Sequence, residues 1–300
     1  MSSKNFGHLR LIIFFTVIIY LLSFITPDTD LEILNINILQ FVLFYVWIVQ
    51  IIGFIFGFIY QTERYYDFIG SLTYSSSTLI IYFSLPAKSL TDSILLILVL
   101  IWSLRLGLFL FRRILEDGHD TRFDKPKQSF FHFLQYWTGQ AMWVSFTCIA
   151  VYVAMISQEN NALSIVSLIG LFIWVAGFVI EVVSDSQKRN FRKDLNNKGR
   201  FISTGLWSRS RHPNYFGEIT LWVGISVISL NSLSGIGYVA LISPFFVYAL
   251  LSKGSGIPLL ERSADKKWGN ESDYQEYKKG TPVLFPKLFN NIKQSNDNGN

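Results

Sequence analysis

The segment GLWSRSRHPNYFGE, residues 205–218, carries the densest set of chemically capable side chains in the chain. Arg209, Arg211 and His212 stand directly before an apolar run that extends from about residue 219 to residue 230. Charge of this density at the mouth of an apolar segment is costly beside a membrane. The pattern therefore indicates that an anion is bound there.

The residues that follow strengthen this interpretation. Pro213 suits the first turn of a helix, whose free N–H groups and positive dipole end favour phosphate or carboxylate. The alternative is a positive-inside anchor with Trp207 and Tyr215 in an aromatic belt at the membrane surface. That alternative explains the charge, but it does not explain Asn214 and Glu218 just inside the apolar run.

A second set of charges precedes this segment. Glu181, Asp185, Lys188 and Arg192 are spaced by four, three and four residues, which places them on one face of a helix. Such a face is either a solvated extension held by ion pairs or a surface that contacts a ligand. Because it continues an apolar span into a basic loop, a ligand is at least as good an explanation.

The composition is typical of a polytopic membrane protein. Half of the 300 residues are hydrophobic and 16% are charged, against about 25% in soluble domains. Cys148 is the single cysteine and the four histidines are scattered, so we expect no metal site. The net charge of +5 comes from loops between apolar spans, so we expect no nucleic-acid partner.

Eight apolar segments approach the roughly 20 residues that a bilayer requires. We expect an all-α, polytopic bundle of about seven to eight transmembrane helices, with cytosolic loops and a short C-terminal cap. The first segment follows Lys4 and Arg10 without a small-residue cleavage site, so we interpret it as a retained helix. The segments cover approximately residues 9–26, 38–60, 68–86, 93–111, 133–156, 163–183, 214–231 and 235–252.

The loop charges predict an orientation. The most basic connection lies between the sixth and seventh segments, and cationic loops stay in the cytosol. Both termini are then cytosolic, in the endoplasmic reticulum of a eukaryote or the inner membrane of a bacterium. Residues 1–60 are predicted to form N-terminal transmembrane helices, residues 61–286 a membrane domain, and residues 287–300 a disordered polar tail.

Three motifs in the last 120 residues resemble the steroid 5α-reductase C-terminal superfamily, and within it the DUF1295 group. They are GRF-x-x-x-GLW at 199–207, SRHPNYFGE at 210–218 and LLERSADKKWG at 259–269. The upstream RLG at 105–107 and GHDTRF at 118–123 are also similar to that group. The resemblance covers about residues 60–286.

This resemblance implies a helix bundle that encloses NADPH and a flat apolar lipid, in a lipid bilayer, and that reduces an enone-type C=C bond. The implied catalytic residues are Tyr215, Glu218 and His212, since a tyrosine or an acid would polarise the substrate carbonyl. The implied cofactor-binding residues are Lys188, Arg192, Asn196, Arg211, His212, Asn214, Tyr215, Glu261 and Arg262.

For the substrate, steroid reductases use a Glu and a Tyr in their early spans. The counterparts available here are Glu63, Tyr66 and Asp67, in the ERYYD segment after the second span. The alternative for this segment is an interfacial cluster of aromatic and charged side chains.

Two other functions stay open. Isoprenylcysteine and phospholipid methyltransferases share an RHPxY-type turn, but their cofactor, S-adenosylmethionine, has no phosphate and needs fewer arginines. The dense basic set therefore favours the phosphorylated dinucleotide. A non-enzymatic lipid-binding scaffold is the third possibility, and the polar set around Asn214 and Glu218 argues against it.

Overall fold

The computed structural model describes residues 3–27, 29–157 and 163–287, and in that part of the chain the protein is mostly helical, with one short hairpin as its strands. This confirms the predicted fold class. The predicted polar tail lies outside the described residues except for Lys287. The helices are α1 (Ser3–Leu22), α2 (Ile38–Ile59), α3 (Tyr66–Ser84), α4 (Leu90–Asp117), α5 (Phe130–Ser157), α6 (Ile165–Lys193), α7 (Pro213–Ser229), α8 (Ile242–Ala249), α9 (Ile257–Trp268) and α10 (Ser272–Gly280).

Local sequence signals explain several helix boundaries. Asn37 caps α2 by accepting a hydrogen bond from the Leu39 N–H at 3.0 Å, and Ser89 and Asp92 form a reciprocal capping box at the start of α4. Pro213 occupies the first position of α7, as predicted. A two-residue antiparallel hairpin, β1 (Glu32–Ile33) and β2 (Ile36–Asn37), connects α1 to α2.

Within the described residues, six helical segments are long and apolar enough to cross a membrane. Two of the eight apolar segments of the sequence are helices outside this set: α3 is diluted by serines, and α7 has 17 residues. The protein is thus an integral, multi-pass membrane protein. The six segments are Lys4–Leu22, Ile38–Ile59, Leu90–Asp117, Phe130–Ser157, Ile165–Lys193 and Gly235–Trp268.

The chain divides into two units. The first unit comprises residues 1–172 and 222–247, and the second comprises residues 173–221 and 248–300. In the first unit α5 is the central helix: 83% of its apolar stretch is buried, against 17% for α1. It packs against α1, α2 and α3. A helix that is apolar on all sides and buried in this way forms the core of its unit.

Candidate functional site

The second unit is organised by close contact between the backbones of α6 and α7. A methyl group added at Gly177 would lie 2.7 Å from the Gly217 carbonyl oxygen, and one added at Gly217 would lie 2.6 Å from the Glu181 N–H nitrogen. Real Cβ atoms do not approach backbone so closely, so only glycine allows this contact. Gly177 was not among the predicted site residues, although each helix repeats glycine after seven residues: 170 and 177, and 217 and 224.

The segment between α6 and α7 is fastened to the end of α6. Gly205 has a φ of +62°, which places it in the left-handed region. The Gln187 side chain accepts a hydrogen bond from the Leu206 N–H at 2.9 Å, and the Trp207 indole N–H donates to the Ser184 carbonyl at 3.0 Å. Trp207 is only 3% exposed, so it is a packing residue and not part of a membrane-surface belt.

Lys188 lies against this segment. Its ammonium group is 4.4 Å from the centre of the Trp207 ring, within cation–π range. On the predicted helical face, Glu181 and Asp185 are buried, Lys188 is half-buried and Arg192 is exposed. The face therefore runs from the interior of the second unit to its surface.

The centre of the candidate site is formed by Arg211, His212 and Glu261, which we call the Arg211 cluster. One carboxylate oxygen of Glu261 lies 2.9 Å from Arg211 Nη2, and the other lies 2.8 Å from His212 Nε2. Arg211 Nη1 also donates to the Lys278 carbonyl at 2.7 Å. The arginine thereby joins the RHPNY segment to both α9 and α10.

Two polar atoms of the Arg211 cluster are buried and have no hydrogen-bond partner among the described residues: Arg211 Nε and His212 Nδ1. Burial lowers the pKa of His212, although the Glu261 carboxylate opposes this shift. A neutral imidazole that donates from Nε2 to Glu261 presents Nδ1 as an acceptor. The cluster therefore offers one donor and one acceptor to a ligand.

The remaining predicted residues of the RHPNYFGE segment lie close to this cluster in sequence. Tyr215 stacks on His212 with ring centres 5.8 Å apart and an interplanar angle of 13°. The Asn214 amide donates to Asp185 at 3.3 Å, which ties α7 to α6. Glu218 is 7% exposed and, like Glu181 and Asp185, is a carboxylate buried near the α6–α7 contact.

Three predicted cofactor residues do not join the buried group. Arg192, Asn196 and Arg262 are all exposed. The Asn196 N–H donates to the Asp194 side chain at 2.9 Å, within a short 3-10 helix that covers Leu195–Asn197. These residues could contact only the outer part of a ligand.

The aromatic side chains of the C-terminal cap pack against one another. Trp268, Tyr274 and Tyr277 surround Phe201, with ring centres 5.9, 5.2 and 5.4 Å from it. The Tyr277 hydroxyl donates to the Trp207 carbonyl at 2.7 Å. These contacts are those of a packed C-terminal cap.

The predicted substrate residues belong to the first unit, and each has protein partners. Glu63 is 2.8 Å from the Lys127 ammonium and accepts from the Asp120 N–H at 3.1 Å. Burial opposes ionisation of Glu63, but these two hydrogen bonds lower its pKa below the ordinary value. The Tyr66 hydroxyl donates to the Tyr136 carbonyl at 2.9 Å.

Asp67 completes this group of charges. It lies 3.7 Å from each of Arg113 and Arg122, and Arg122 is also bound to Asp120. A polar cleft of about 370 Å³ adjoins this region, with Glu63 and Lys127 in its wall. The ERYYD segment thus connects the α2–α3 loop to the α4–α5 loop through ion pairs, as an interfacial cluster would.

The fold and this site define an integral, multi-pass membrane protein whose RHPNY turn is buried in a charged, hydrogen-bonded cluster. The chain belongs to the DUF1295 family, described as "Protein of unknown function (DUF1295)", which matches residues 53–281. The expected relationship to this family and to the steroid 5α-reductases is confirmed.

Several curated proteins are similar to part of the chain. It is 31% identical over 122 residues to 3-oxo-5-alpha-steroid 4-dehydrogenase 1 of Macaca fascicularis, covering 41% of each protein. It is 30% identical over 124 residues to Steroid 5-alpha-reductase DET2 of Arabidopsis thaliana, covering 41% of this chain and 42% of the relative. The chain thus spans about two fifths of the length of these relatives.

A relative of another class also matches. The chain is 30% identical over 99 residues to Probable O-methyltransferase ustE of Ustilaginoidea virens, covering 33% of this chain and 32% of the relative. No solved structure matches the chain.

Proposed function

We propose that this protein is an NADPH-dependent membrane reductase that acts on a C=C bond, of enone type, in a steroid, sterol or other apolar lipid. The observation that carries the proposal is the buried Arg211 cluster, in which Arg211 Nε and His212 Nδ1 have no partner among the described residues. Similarity to two proteins named as steroid reductases or dehydrogenases supports it.

The two buried atoms fit a phosphorylated dinucleotide. Arg211 Nε–H would donate to a phosphate oxygen, for which the guanidinium fork is well suited. His212 Nδ1 would accept a hydrogen bond from a ribose hydroxyl or an amide N–H. Glu261 holds both side chains in place, and Lys188 contributes further positive charge near His212.

When bound, NADPH would supply a hydride to one carbon of the double bond and be oxidised to NADP⁺, while the other carbon would take a proton. Within the chain, the residues proposed for the proton are Tyr215, Glu218 and His212. Tyr215 is held by its stack on His212, and Glu218 is buried one turn further along α7. A proton donor held in position can accelerate such a step by about 10² to 10⁴.

Localisation follows from the same proposal. The basic connection between α6 and α7 favours a cytosolic position for the Arg211 cluster, in the endoplasmic reticulum of a eukaryote or the inner membrane of a bacterium. The C-terminal cap, which binds Arg211 through Lys278 and Glu261, would then be cytosolic as well.

The second candidate is an S-adenosylmethionine-dependent methyltransferase that acts on a prenyl-cysteine or a phospholipid. The similarity to Probable O-methyltransferase ustE favours it. An arginine can bind the carboxylate of that cofactor as it binds a phosphate.

A thermal-shift experiment on the detergent-purified protein separates the two functions. A ligand that binds only the folded state stabilises it, by about 2.7 kcal/mol at a hundredfold excess over its Kd. We expect NADPH to raise the melting temperature, and NADH and S-adenosylmethionine to have little effect. Stabilisation by S-adenosylmethionine alone would overturn the reductase proposal, and stabilisation by none of the three would favour a scaffold.

The informative variant is Arg211→Lys. It keeps a positive charge beside Glu261 but removes the Nε–H donor. Because a lysine cannot keep both Nη contacts, the melting temperature of the variant without ligand is compared with that of the wild type. Loss of one charge-assisted hydrogen bond should weaken NADPH binding by roughly 10- to 100-fold. Arg209→Lys is the matched control, because Arg209 is exposed and two residues away.

A further inference from the structure

Three helices of the first unit meet at one level through three pairwise contacts. The Gln50 amide on α2 donates to the Thr73 hydroxyl on α3 at 2.8 Å. Gly53 on α2 packs against the Trp137 ring on α5, where an added methyl group would collide with the ring.

The third contact closes the group. Gly70 on α3 packs against the Gln140 amide on α5, and a methyl group there would again collide. Each helix contributes two residues separated by three positions, which lie on one face of that helix. We call these six residues the polar level: Gln50, Gly53, Gly70, Thr73, Trp137 and Gln140.

Three polar atoms of the polar level are buried without a hydrogen-bond partner in the described part of the chain. They are the side-chain oxygens of Gln50 and Gln140 and the indole nitrogen of Trp137. Gln50 is fully buried, and Trp137 is 1% exposed. Buried polar atoms are normally satisfied, so each such atom requires an explanation.

The orientation of both amides follows from their partners. The Thr73 hydroxyl donates to the Ile69 carbonyl at 2.7 Å, so it can only accept from Gln50, and the Gln50 NH₂ group must face it. Gln140 faces the Tyr66 carbonyl at 3.2 Å, and a carbonyl accepts only, so the NH₂ group again points there. In both residues the side-chain oxygen is therefore the atom without a hydrogen-bond partner among the described residues.

Two acceptors and one donor define the chemistry of a matching group. A hydroxyl can accept from the Trp137 indole and donate to one of the two amide oxygens. A ketone or an ether has no hydrogen to donate, and an ammonium group cannot accept. An alcohol is therefore the functional group that the polar level fits.

The position of the polar level indicates what bears this alcohol. Gln50 lies near the middle of α2, which is long and apolar enough to cross a membrane. A polar residue inside a membrane segment is by default a candidate for function. A molecule that reaches this depth from the bilayer must be largely apolar.

Three side chains of the ERYYD segment already have protein partners, so we do not expect them to bind this alcohol. Glu63 and Asp67 are engaged in ion pairs with Lys127 and Arg113, and the Tyr66 hydroxyl already donates to a carbonyl. The polar level begins one turn further along α3, at Gly70.

We infer that the polar level binds the alcohol group of an apolar lipid, with Trp137 as donor and Gln50 and Gln140 as acceptors. The inference rests on the proposed function only in treating this lipid as the substrate. It adds that the substrate carries a hydroxyl besides the reducible C=C bond.

The test is equilibrium binding of radiolabelled lipids to the full chain in nanodiscs, without NADPH. Two matched pairs are used: cholesterol and its 3-methyl ether, and geranylgeraniol and its methyl ether. In at least one pair, we expect the alcohol to bind at least tenfold more tightly than the ether. Trp137→Phe and Gln50→Met should remove this preference, and Thr138→Val should keep it.

Thr138→Val is a matched control because its buried hydroxyl donates to the Leu134 carbonyl of its own helix. Trp137→Phe retains an aromatic ring and removes the unpaired N–H. The smaller ring leaves a cavity beside Phe54 and Phe133, so the melting temperature of this variant without lipid should fall. Because this fall is expected whatever the N–H contacts, the alcohol preference is the readout that tests the inference.

Equal binding of alcohol and ether in both pairs would overturn the inference, as would an alcohol preference that survives in Trp137→Phe. Each protein is tested in parallel for its thermal shift with NADPH. An NADPH shift without alcohol preference rejects this inference alone. Alcohol preference without an NADPH shift rejects the reductase proposal and leaves a lipid-binding site.

Discussion

The second unit holds its buried polar groups by ion pairing, whereas the polar level of the first unit uses neutral groups. In the Arg211 cluster, a single carboxylate contacts a guanidinium and an imidazole at 2.9 and 2.8 Å. In the polar level, two amides, a hydroxyl and an indole lie between helices, and the hydrogen bond at 2.8 Å joins two uncharged side chains. The two arrangements should differ in how much stability is lost when one of their side chains is replaced.

Removal of one member of a charged group leaves the others buried and uncompensated, which is costly. Removal of a neutral group that already lacks a partner costs little, because no hydrogen bond is broken. A conservative substitution of a polar group should therefore cost more stability in the Arg211 cluster than in the polar level. This difference also separates a site that attracts anions from one that accepts an uncharged alcohol.

The largest expected effect is that of Glu261→Gln. Arg211 and His212 would lose the carboxylate that binds both of them, and removal of one partner of a buried ion pair costs about 3 to 5 kcal/mol. Because Glu261 is partly exposed, we expect the lower end of that range, measured as the free energy of unfolding in detergent with denaturant. Glu276→Gln, at an exposed position on α10, is the control and should change stability by less than about 0.5 kcal/mol.

If Glu261→Gln left stability unchanged, the Arg211 cluster would not be a buried, charge-compensated group. Both regions would then respond as neutral groups do. Trp137→Phe is measured alongside; it breaks no hydrogen bond between described residues, so its loss of stability comes from the smaller ring.

The second prediction compares glycines of the two units. An alanine at Gly177 meets backbone atoms of α7, the nearest at 2.5 Å, so one helix must move away from the other. An alanine at Gly70 meets the end of the Gln140 side chain, which can rotate. We expect Gly177→Ala to cost about 1 to 3 kcal/mol in thermal unfolding, and Gly70→Ala clearly less.

Gly7→Ala serves as the reference for this pair. A Cβ atom at Gly7 would have no neighbour within 4 Å among the described residues, and alanine is the better helix former, by up to about 1 kcal/mol. Its expected effect is therefore zero or stabilising. Equal losses at Gly177 and Gly70 would show that the Gln140 side chain is held as rigidly as a backbone.

Much of the fold and part of the candidate site could be predicted from sequence, because they depend on local patterns. Apolar runs predict helices, and Pro213 marks the start of α7. The placement of Arg211 and His212 before an apolar run indicates a buried anion site, and both are buried or nearly so. Glu261 was included among the predicted residues through family resemblance, and the structure shows that its carboxylate binds both side chains.

The remaining parts depend on contacts between distant segments, which local patterns do not contain. The Gln50–Thr73 and Gly70–Gln140 contacts bring together residues 23 and 70 positions apart. Trp207 was considered for an aromatic belt, but it is buried and contacts the Ser184 carbonyl and the Lys188 side chain. The exposed positions of Arg192 and Arg262 depend on where α6 and α9 end, and charge alone does not predict this.

The smallest expected effect concerns pH and His212. Burial lowers the pKa of His212 below its ordinary value of 6.5, so the unfolded chain binds a proton at this residue more readily than the folded protein does. Unfolding is then favoured as pH falls, and stability is lost progressively below about pH 6.5. His212→Gln cannot titrate, so its loss of stability between pH 7 and pH 5 should be smaller than that of the wild type, by about 1 kcal/mol or less. The measurement is the melting temperature of both proteins across this range in detergent. Parallel curves would show that the pKa of His212 is the same in the folded and unfolded chain.

A reversed difference, with the wild type more stable at pH 5 relative to the variant, would mean that Glu261 raises the imidazole pKa more than burial lowers it. His212 Nδ1 would then be a donor, and the Arg211 cluster would present two donors to a phosphate instead of a donor and an acceptor.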